Sequence, residues 1–340
     1  DLQWSSTPFQ LRIKVIPPLW RTNYAYAFYF LMIVILLHLL SNYRVFKIKR
    51  AYRDLEEKSS SRRMLEDQRD KLAKVHQSLK DSIGYAKRIQ EAMIPSEDRV
   101  RMLFPEAFVY YRPKDIVSGD FYWTFENETK QILISADCTG HGVPGAFMSI
   151  IGLDLIKNVI EQQQVYDPAV LLSILNKGIH TTFSAKTDQE TDGFHMNDGM
   201  DIAICVIDKA SQELSFAGAM SSIYLIRDNE IFTYKGDRKS IGTMEYNGTS
   251  KFEKQNIQLQ NKDCIYLFSD GFADQFGGPE GKKFKYRRFR HLLLNIHKLP
   301  AEDQKNIIHQ KFEEWIGSKY EQIDDVLVLG FSYLNNNALN

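Results

Sequence analysis

Residues 131–148 read Q-I-L-I-S-A-D-C-T-G-H-G-V-P-G-A-F-M: an apolar run that reaches an aspartate, then a glycine-rich loop, then an apolar helical segment. Aspartates recur at the ends of other strand-like runs, far apart in the chain. They are Asp120 in V-S-G-D-F-Y-W, Asp270 in L-F-S-D-G, and Asp324 in D-D-V-L-V-L. A carboxylate at the end of a buried strand costs free energy unless its charge is compensated. Four such positions therefore predict carboxylates that share a cation.

The ligand types favour a hard cation. Mg²⁺ and Mn²⁺ prefer oxygen ligands, whereas Zn²⁺ sites usually contain Cys and His, and no Cys/His cluster with metal-ligand spacing occurs in the sequence. Two divalent ions can together activate a water molecule and neutralise phosphate oxygens, so that no nucleophilic side chain is needed. The residues alone thus predict a hydrolase that uses two Mn²⁺ or Mg²⁺ ions.

Composition limits the possible functions. The chain has 340 residues, 44% of them hydrophobic, which suffices for one large domain with accessory segments. Lys+Arg and Asp+Glu number 43 each, so no net field favours nucleic acid as a partner. Three scattered cysteines argue against a disulfide framework and suit a reducing compartment.

Residues 22–43 contain no Asp, Glu, Lys or Arg. A helix of that length extends roughly 33 Å, enough for a hydrocarbon core of about 30 Å. A buried core helix is the alternative. Basic residues are more frequent at 44–53 than before the apolar run, which places the following chain in the cytoplasm. We expect a single transmembrane helix over 21–43, with 1–20 as the end of an extracytoplasmic sensor domain.

The charged stretch that follows favours a long helix with a heptad seam. Apolar residues recur every seven positions at Leu65, Leu72, Leu79, Ala86 and Met93. This spacing predicts a coiled-coil signalling helix over 44–94 and a parallel homodimer. A single solvated helix is the alternative.

Residues 104–334 alternate between strand-like and helical patterns, which indicates a layered α+β domain. The turn residues at 227–229 favour antiparallel pairing. Predicted strands are 107–112, 120–126, 131–136, 201–207, 213–217, 222–227, 230–234, 264–269 and 326–333. Predicted helices are 144–164, 168–183, 287–297 and 301–316.

Five segments resemble, in order, motifs of the PPM-type metal-dependent serine/threonine phosphatases, especially their bacterial SpoIIE-like branch. They are V-S-G-D-F-Y-W (117–123), D-C-T-G-H-G-V-P-G-A-F-M (137–148), F-A-G-A-M-S-S-I-Y-L-I-R (216–227), L-F-S-D-G-F-A-D (267–274) and D-D-V-L-V-L (324–329). The resemblance covers about residues 85–334. It implies an α-β-β-α sandwich over 95–335, with a dimetal site at one edge of the two sheets.

The resemblance also implies roles for the site residues. Asp137 would bridge both metals, and the backbone carbonyl of Cys138 would bind one of them. Asp270 and Asp324 would bind the second metal, and Asp120 would hold water at the metals. Asp137 and Asp120 are thus the expected catalytic residues.

Other polar residues are candidates for the same region. Phosphate needs cationic help beyond the metals, and Arg112 and Lys114 are the expected substrate-binding residues. His141 could act as a general acid, but its spacing in D-C-T-G-H-G departs from the D-G-H-G of eukaryotic members, and a loop histidine is the alternative. The basic run 281–290 could dock a phosphorylated protein or form a solvated flap. Further acidic candidates, with turn or supporting roles as alternatives, are Asp198, Asp201, Asp274 and Asp325.

Two more segments resemble parts of this branch: 81–95 its regulatory helix, and 9–30 the end of the immunoglobulin-like domain that closes periplasmic propeller sensors. The implied protein is a single-pass phosphatase of the bacterial inner membrane. It would hydrolyse phosphoserine or phosphothreonine on a cytoplasmic regulatory protein, for which an anti-sigma factor antagonist is the expected partner. Residues 336–340 would be a tail. The alternatives are a catalytically inactive scaffold of the same fold and a metal-dependent nucleotide cyclase or nucleotidyl transferase.

Overall fold

The computed structural model describes residues 12, 14, 18–184, 199–242 and 251–334. The chain divides into two compact units, Asp1–Ser78 and Leu79–Asn340. Most of the predicted sensor remnant 1–20, the tail 336–340 and Asp198 lie outside the described residues.

The first unit consists mainly of helix. A short 3₁₀ turn, Leu19–Arg21, precedes helix α1, which runs from Asn23 to Met93 and so continues beyond this unit. Its apolar beginning has a mean hydropathy of 2.0 and is long and apolar enough to cross a membrane by length and composition. The heptad residues Leu65 and Leu72 are 67% and 70% exposed in the single chain.

In its described residues the second unit contains six further helices. They are α2 (Glu97–Leu103), α3 (Gly142–Lys157, continued by a π-helical turn Asn158–Gln162), α4 (Pro168–Ser184), α5 (Gly271–Asp274), α6 (Tyr286–Ile296) and α7 (Ala301–Ile316). Its strands are β1 (Ala107–Arg112), β2 (Phe121–Glu126), β3 (Lys130–Cys138), β4 (Met200–Asp208), β5 (Glu213–Ala219), β6 (Ser222–Arg227), β7 (Glu230–Lys235), β8 (Gln255–Gln258), β9 (Cys264–Phe268), β10 (Phe276–Gly277), β11 (Lys282–Lys283) and β12 (Val326–Ser332).

Within the described part of the chain, the strands form two five-stranded sheets and one hairpin. The first sheet has the order β1-β12-β9-β6-β7 and the second the order β2-β3-β4-β5-β8, while β10 pairs with β11. Neighbouring strands in both sheets are antiparallel. This agrees with the antiparallel pairing expected from the turn at 227–229.

Alternation along the strands creates four layers. Successive side chains of a strand point to opposite faces, so Leu133 of β3 packs between the sheets, while Ile132 and Ile134 pack with α3 and α4. A third cluster joins the outer face of the first sheet to α6 and α7, through residues such as Phe289 and Phe312. The predicted α-β-β-α sandwich is therefore confirmed. Helix α3 with its π-helical extension, Gly142–Gln162, is also long and apolar enough for a membrane span, but half of its apolar segment is buried in this core.

Candidate functional site

The four aspartates singled out by the sequence come from both sheets. Asp120 and Asp137 belong to the second sheet, immediately before β2 and near the end of β3. Asp270 follows β9 and Asp324 precedes β12, both in the first sheet. The charge of Asp137 raises the pKa of Asp120, that of Asp270 raises the pKa of Asp137, and that of Asp324 raises the pKa of the other three. The sandwich thus brings these four residues together at one edge.

Asp120 and Asp137 are the most deeply placed pair. Asp120 is 1% exposed, and its Oδ2 is buried without a hydrogen-bond partner among the described residues. Burial, and then the charge of Asp137, raises the pKa of Asp120. Burial likewise raises the pKa of Asp137, and Asp270 and Asp324 add to the effect. A buried carboxylate oxygen without a donor is a position where a cation would replace lost solvation.

Asp270 and Asp324 complete the set from the other sheet. Partial desolvation and the nearby Asp324 raise the pKa of Asp270 to about 6. Desolvation also raises the pKa of Asp324, while Lys114 and His141 act in the opposite direction. The cluster therefore opposes its own ionisation, as carboxylates do when no cation neutralises them.

Asp201 is a fifth carboxylate at this edge, and the sequence left open whether it belongs to the site or to a turn. In the register of β3 and β4, Asp201 lies directly opposite Asp137, and its carboxylate raises the pKa of Asp137. Desolvation raises the pKa of Asp201 itself, and Ser240 donates a hydrogen bond to it. The repeated aspartates of N-D-G-M-D-I-A were the available signal, but the pairing register cannot be read from them.

Asp325 acts on the backbone. Its carboxylate accepts hydrogen bonds from the amides of Lys114 and Gly119, both at 2.7 Å, and the residue is 2% exposed. Asp325 thereby ties the loop that carries Asp120 to the start of β12. Asp274, by contrast, forms an ion pair with Lys283 at 2.7 Å.

The loops at the site pack too closely for side chains. A Cβ on Gly119 would lie 2.6 Å from the carbonyl oxygen of Gly140 and 3.1 Å from that of Cys138. A Cβ on Gly145 would lie 2.3 Å from the same Gly140 oxygen. The glycines therefore allow the Asp120 loop, the Asp137 loop and the start of α3 to meet, and they bring the Cys138 carbonyl, the predicted ligand, beside Gly119.

Lys114 and His141 form a chain of contacts at the rim. The Nζ atom of Lys114 lies 2.9 Å from Nε2 of His141, and Nδ1 of His141 lies 2.7 Å from Oδ2 of Asp115. The two side chains influence Asp324, so they lie near the carboxylates. Substrate binding by Lys114 and acid catalysis by His141 stay predictions.

Arg112, the other expected substrate contact, has a partner in the fold. Its guanidinium forms an ion pair with Glu313 of α7 and lies over the ring of Phe312. A substrate phosphate would have to compete with this carboxylate. Its predicted role also stays untested.

A cleft of about 360 Å³ opens beside the carboxylates. Its acidic lining comes from Asp137, Asp201 and Asp270. Two cations, Lys235 of β7 and Arg290 of α6, line the same cleft, and neither is ion-paired with another residue in the described parts of the chain. A larger cleft of about 810 Å³ is lined by none of these carboxylates.

The basic run 281–290 has several separate roles. Phe289 is buried in the core, Arg288 lies over the ring of Trp315, and Arg290 lines the cleft. Tyr286 lines it too, and burial together with Asp270 raises the pKa of its hydroxyl, which keeps that group protonated. The sequence indicated the basic run but not that Arg290 is the arginine of this run that lines the cleft.

The donor set fits hard divalent cations. It consists of carboxylate oxygens and a backbone carbonyl, and the buried Oδ2 of Asp120, without a hydrogen-bond partner among the described residues, is an oxygen that a cation could bind. Within the described ranges, no three His, Cys, Asp or Glu side chains form a group close enough to hold a metal ion as they stand. The chemistry of these ligands thus suits Mg²⁺ or Mn²⁺.

A buried carboxylate cluster at one edge of an α-β-β-α sandwich defines a metal-dependent hydrolase of the PP2C class. The model of the family described as Stage II sporulation protein E (SpoIIE) matches residues 127–333, and the chain belongs to this family. The protein is accordingly a metal-dependent protein serine/threonine phosphatase with a signalling-type catalytic domain. No match was found among curated protein sequences.

Solved structures with the same fold support this assignment. The SiaA-PP2C domain of Pseudomonas aeruginosa is 30% identical, with a TM-score of 0.67 over 76% of this chain and 98% of that domain. The phosphatase domain with a regulatory fragment of SpoIIE from Bacillus subtilis is 17% identical, with a TM-score of 0.52 over 66% of this chain and 62% of that one. The RsbU and RsbW domains of a Mycobacterium tuberculosis protein are 18% identical, with a TM-score of 0.52 over 68% and 61%. The last two likenesses concern the fold.

Proposed function

We propose that this phosphatase is membrane-anchored and hydrolyses phosphoserine or phosphothreonine on a cytoplasmic regulatory protein, using two Mn²⁺ or Mg²⁺ ions. The observation that carries the chemistry is the carboxylate cluster, in which Asp120 keeps a buried oxygen without a partner. Such a cluster is costly to the fold unless a cation binds there. Metal-dependent catalysis would explain why the fold contains such a costly cluster.

In this proposal Asp137 would serve both ions, Asp270 and Asp324 would hold one of them, and the backbone carbonyl of Cys138 would be a ligand for the other. Asp201, opposite Asp137, adds a further carboxylate at the same edge. The ions would supply an activated water and neutralise phosphate oxygens. The chain's own residues orient the groups around them, and Asp120 would hold and orient water at this position.

Substrate would enter through the cleft lined by Arg290 and Lys235. A phosphate monoester carries about −1.5 to −2 charges at neutral pH and is recognised by charge-assisted hydrogen bonds. The two cations border the carboxylates on the side where a phosphoryl group would approach. The protonated hydroxyl of Tyr286 offers another donor in the same cleft. A phosphorylated loop of a folded protein, such as an anti-sigma factor antagonist, fits this open site.

The amino-terminal half supports anchoring and dimerisation. The apolar beginning of α1 has the length and composition of a membrane span. The exposed leucines of its heptad seam would be covered in a parallel homodimer. We therefore infer a single-pass protein of the bacterial inner membrane, with residues 44–94 as the signalling helix and the phosphatase domain, 95–335, in the cytoplasm.

The test is phosphate release by the full chain in detergent micelles. A phosphoserine or phosphothreonine peptide should lose phosphate when Mn²⁺ is present and not when EDTA is added. Asp137→Asn should reduce release by at least about a thousandfold, the scale of losing a catalytic group. Asp228→Asn, in the exposed turn between β6 and β7, is the matched control and should retain full activity. Release that persists in Asp137→Asn would refute the metal role, and a wild-type protein that binds phosphoprotein without releasing phosphate would favour the scaffold alternative.

A further inference from the structure

Strand β7 lies at one end of the first sheet and has no neighbouring strand on its outer side in the described parts of the chain. It is joined to β6 by a two-residue turn, Asp228 and Asn229, in which φ is positive at both residues, 50° and 65°. This is the geometry of a type I′ hairpin, in which the two residues that flank the turn form a hydrogen-bonded pair. The turn therefore fixes which backbone groups of β7 bond to β6.

Every second residue of β7 directs its backbone groups away from β6. Hydrogen-bonded and non-hydrogen-bonded pairs alternate along an antiparallel ladder, and the first hydrogen-bonded pair here is Arg227 with Glu230. The residues at alternate positions, Ile231, Thr233 and Lys235, therefore direct their N–H and C=O groups outwards.

Most of this outer edge is unpaired. The carbonyl of Lys235 accepts a hydrogen bond from Nε2 of Gln255 at 2.7 Å. The backbone amides and carbonyls of Ile231 and Thr233 have no partner on this side among the described residues. A row of unpaired donors and acceptors on an edge strand is a template for another strand.

The sequence of β7 also favours a strand as its neighbour. The segment E-I-F-T-Y-K (230–235) has four β-favouring residues between two terminal charges. Exposed edges are commonly protected by charged side chains or proline, and in β7 only the two ends are charged. Phe232 is 41% exposed, so its ring can contact a cross-strand neighbour. The centre of β7 is therefore open to pairing.

The edge of β7 leads into the carboxylate cleft. Thr233 and Lys235 line this cleft together with Asp137 and Asp270. Lys235 lies opposite Ser222 at the start of β6, and the start of β6 adjoins the end of β9, which Asp270 follows. A chain paired with β7 would therefore leave the edge beside Lys235 and could continue to the carboxylates.

We propose that the outer edge of β7 is the docking strand for the phosphoprotein substrate. An extended segment of the substrate pairs with it as an additional antiparallel strand, and main-chain hydrogen bonds supply the affinity. The inference rests on the proposed function, since the occupant is the substrate of that reaction. The charges suit this occupant, because Lys235 and Arg290 line the path of the phosphate and neither is ion-paired in the described parts of the chain.

The geometry of the sheet sets the position of the phosphorylated residue relative to the paired segment. An antiparallel partner runs from Lys235 towards Glu230, so its amino-terminal part is the part that lies towards the carboxylates. Three strand spacings separate the added strand from β9, about 14 Å at about 4.8 Å each. A chain advances about 3.3 Å per residue, so about four residues cover this distance. The phosphorylated residue therefore precedes the paired segment by about four residues.

Three synthetic phosphopeptides test the docking strand, with phosphate release by the full chain in detergent micelles and Mn²⁺ as the assay. The first has phosphoserine at position 2 and alternating threonine and valine at positions 6–11. The second ends at position 4, and the third has the strand-forming segment before the phosphoserine. The KM of the first should be about tenfold lower than that of the other two, because only the first adds backbone hydrogen bonds to β7 in the antiparallel direction. Equal KM values for all three would overturn the proposal.

Methylation of the peptide backbone separates strand pairing from other contacts and leaves the protein unaltered. Alternate amides of the paired segment face β7 and solvent. Methylation of the amides at positions 7, 9 and 11 and of those at 6, 8 and 10 should therefore have different effects. One set should raise KM about tenfold, and the other should leave it unchanged. Equal effects of the two sets would contradict strand addition.

Thr233→Pro tests the same edge from the side of the protein. It removes an outward amide and leaves the hydrogen bonds between β6 and β7 in place, because proline is tolerated where an edge strand directs its amide outwards. The KM of the first peptide should rise about tenfold, to that of the truncated peptide. Asp303→Pro, at an exposed position in the first turn of α7 where a helix tolerates proline, is the matched control and should keep the low KM. A low KM retained by folded Thr233→Pro would show that the edge is not used, and the methylated peptides decide the question if this variant does not fold.

Binding without turnover separates docking from catalysis. A fluorescent form of the first peptide should bind the Asp137→Asn protein, and Thr233→Pro in that background should weaken binding about tenfold, as measured by fluorescence anisotropy. If wild type releases no phosphate while this difference persists, the proposed function fails and the docking strand is supported. If release proceeds with the same KM for all three peptides, the docking strand fails and the proposed function is supported.

Discussion

The buried carboxylates give the metal-free protein a characteristic pH dependence. Burial and mutual repulsion raise the pKa of Asp120 and Asp137, and that of Asp270 to about 6. An aspartate in an unfolded chain has a pKa of about 3.9. Between about pH 4 and 6 the folded state therefore holds protons that the unfolded state has released, and acidification through about pH 6 stabilises the fold.

We predict that the free energy of unfolding in EDTA rises as the pH is lowered from about 8 to about 5.5, as measured by urea titration. Asp270→Asn should flatten this rise, because it removes one titrating group while histidines and other acids stay the same. Lys130 lowers the pKa of Asp208, so this residue makes the fold less stable as the pH falls, but its effect occurs at more acidic pH. A wild-type stability that increases towards pH 8 in EDTA would contradict the prediction.

Arg290 should distinguish protein substrates from small ones. It lines the cleft from α6, so we expect Arg290→Glu to raise KM for a phosphoprotein by about tenfold or more, the effect of losing a charged hydrogen bond. The kcat for p-nitrophenyl phosphate should change little, because the metal site is intact. Arg287→Glu, an exposed change of equal charge on the same helix and outside the cleft lining, should leave both parameters unaltered.

At the scale of elements, the exposed leucines of α1 predict assembly. A carboxylate in the seam of a parallel coiled coil would lie opposite its own copy in the partner, so Leu72→Asp should dissociate the dimer. Light scattering of the detergent-solubilised protein would show the change in mass. Ala73→Asp adds the same charge one residue away, outside the seam, and should leave the dimer intact. A wild-type monomer would remove the basis for the coiled coil.

Strands with strong apolar alternation could be placed from the sequence. The nine predicted strands and four predicted helices lie within a few residues of β1–β7, β9 and β12 and of α3, α4, α6 and α7. Helix α2 was missed because the signalling helix was predicted to end at residue 94 and no helix was expected directly after it, although Ser96 caps a new helix by accepting from the Arg99 amide. Strand β8, Gln255–Gln258, was missed because an edge strand with one buried residue has almost no apolar pattern.

The site could be predicted only in part from the sequence, for a related reason. Asp120, Asp137, Asp270 and Asp324 could be named because each lies at the end of an apolar run. Asp201 depends on the register of two strands that are far apart in sequence. Gln90 of α1, whose side-chain amide donates to the carbonyl of Ser118 and to the hydroxyl of Ser149, has the sequence context of a solvated residue, because the loop and helix that bury it come from distant parts of the chain. Sequence patterns report local periodicity, whereas these contacts are set by packing.

At the scale of the whole molecule, the proposed metal binding would join the two halves of the sandwich. Asp120, Asp137 and Asp201 belong to one sheet, and Asp270 and Asp324 to the other. Without cations their repulsion works against the closure of the sheets at this edge. If cations bind as proposed, the same residues would link the two sheets. Catalysis and the stability of the domain should therefore depend on the same ions.

We predict that Mn²⁺ at about a hundred times its dissociation constant adds about 2.7 kcal/mol of stability and raises Tm by roughly 5–10 °C, measured by near-ultraviolet circular dichroism. Asp137→Asn should differ from wild type in stability both in EDTA and with Mn²⁺. In EDTA it should be more stable than wild type, because one buried carboxylate with a raised pKa is gone. With Mn²⁺ it should gain little. Asp228→Asn should follow wild type in both conditions, since its side chain is exposed in a turn. If Asp137→Asn were instead less stable than wild type in EDTA, the carboxylate would be a structural hydrogen-bonding group, and the repulsion that motivates metal binding would be absent.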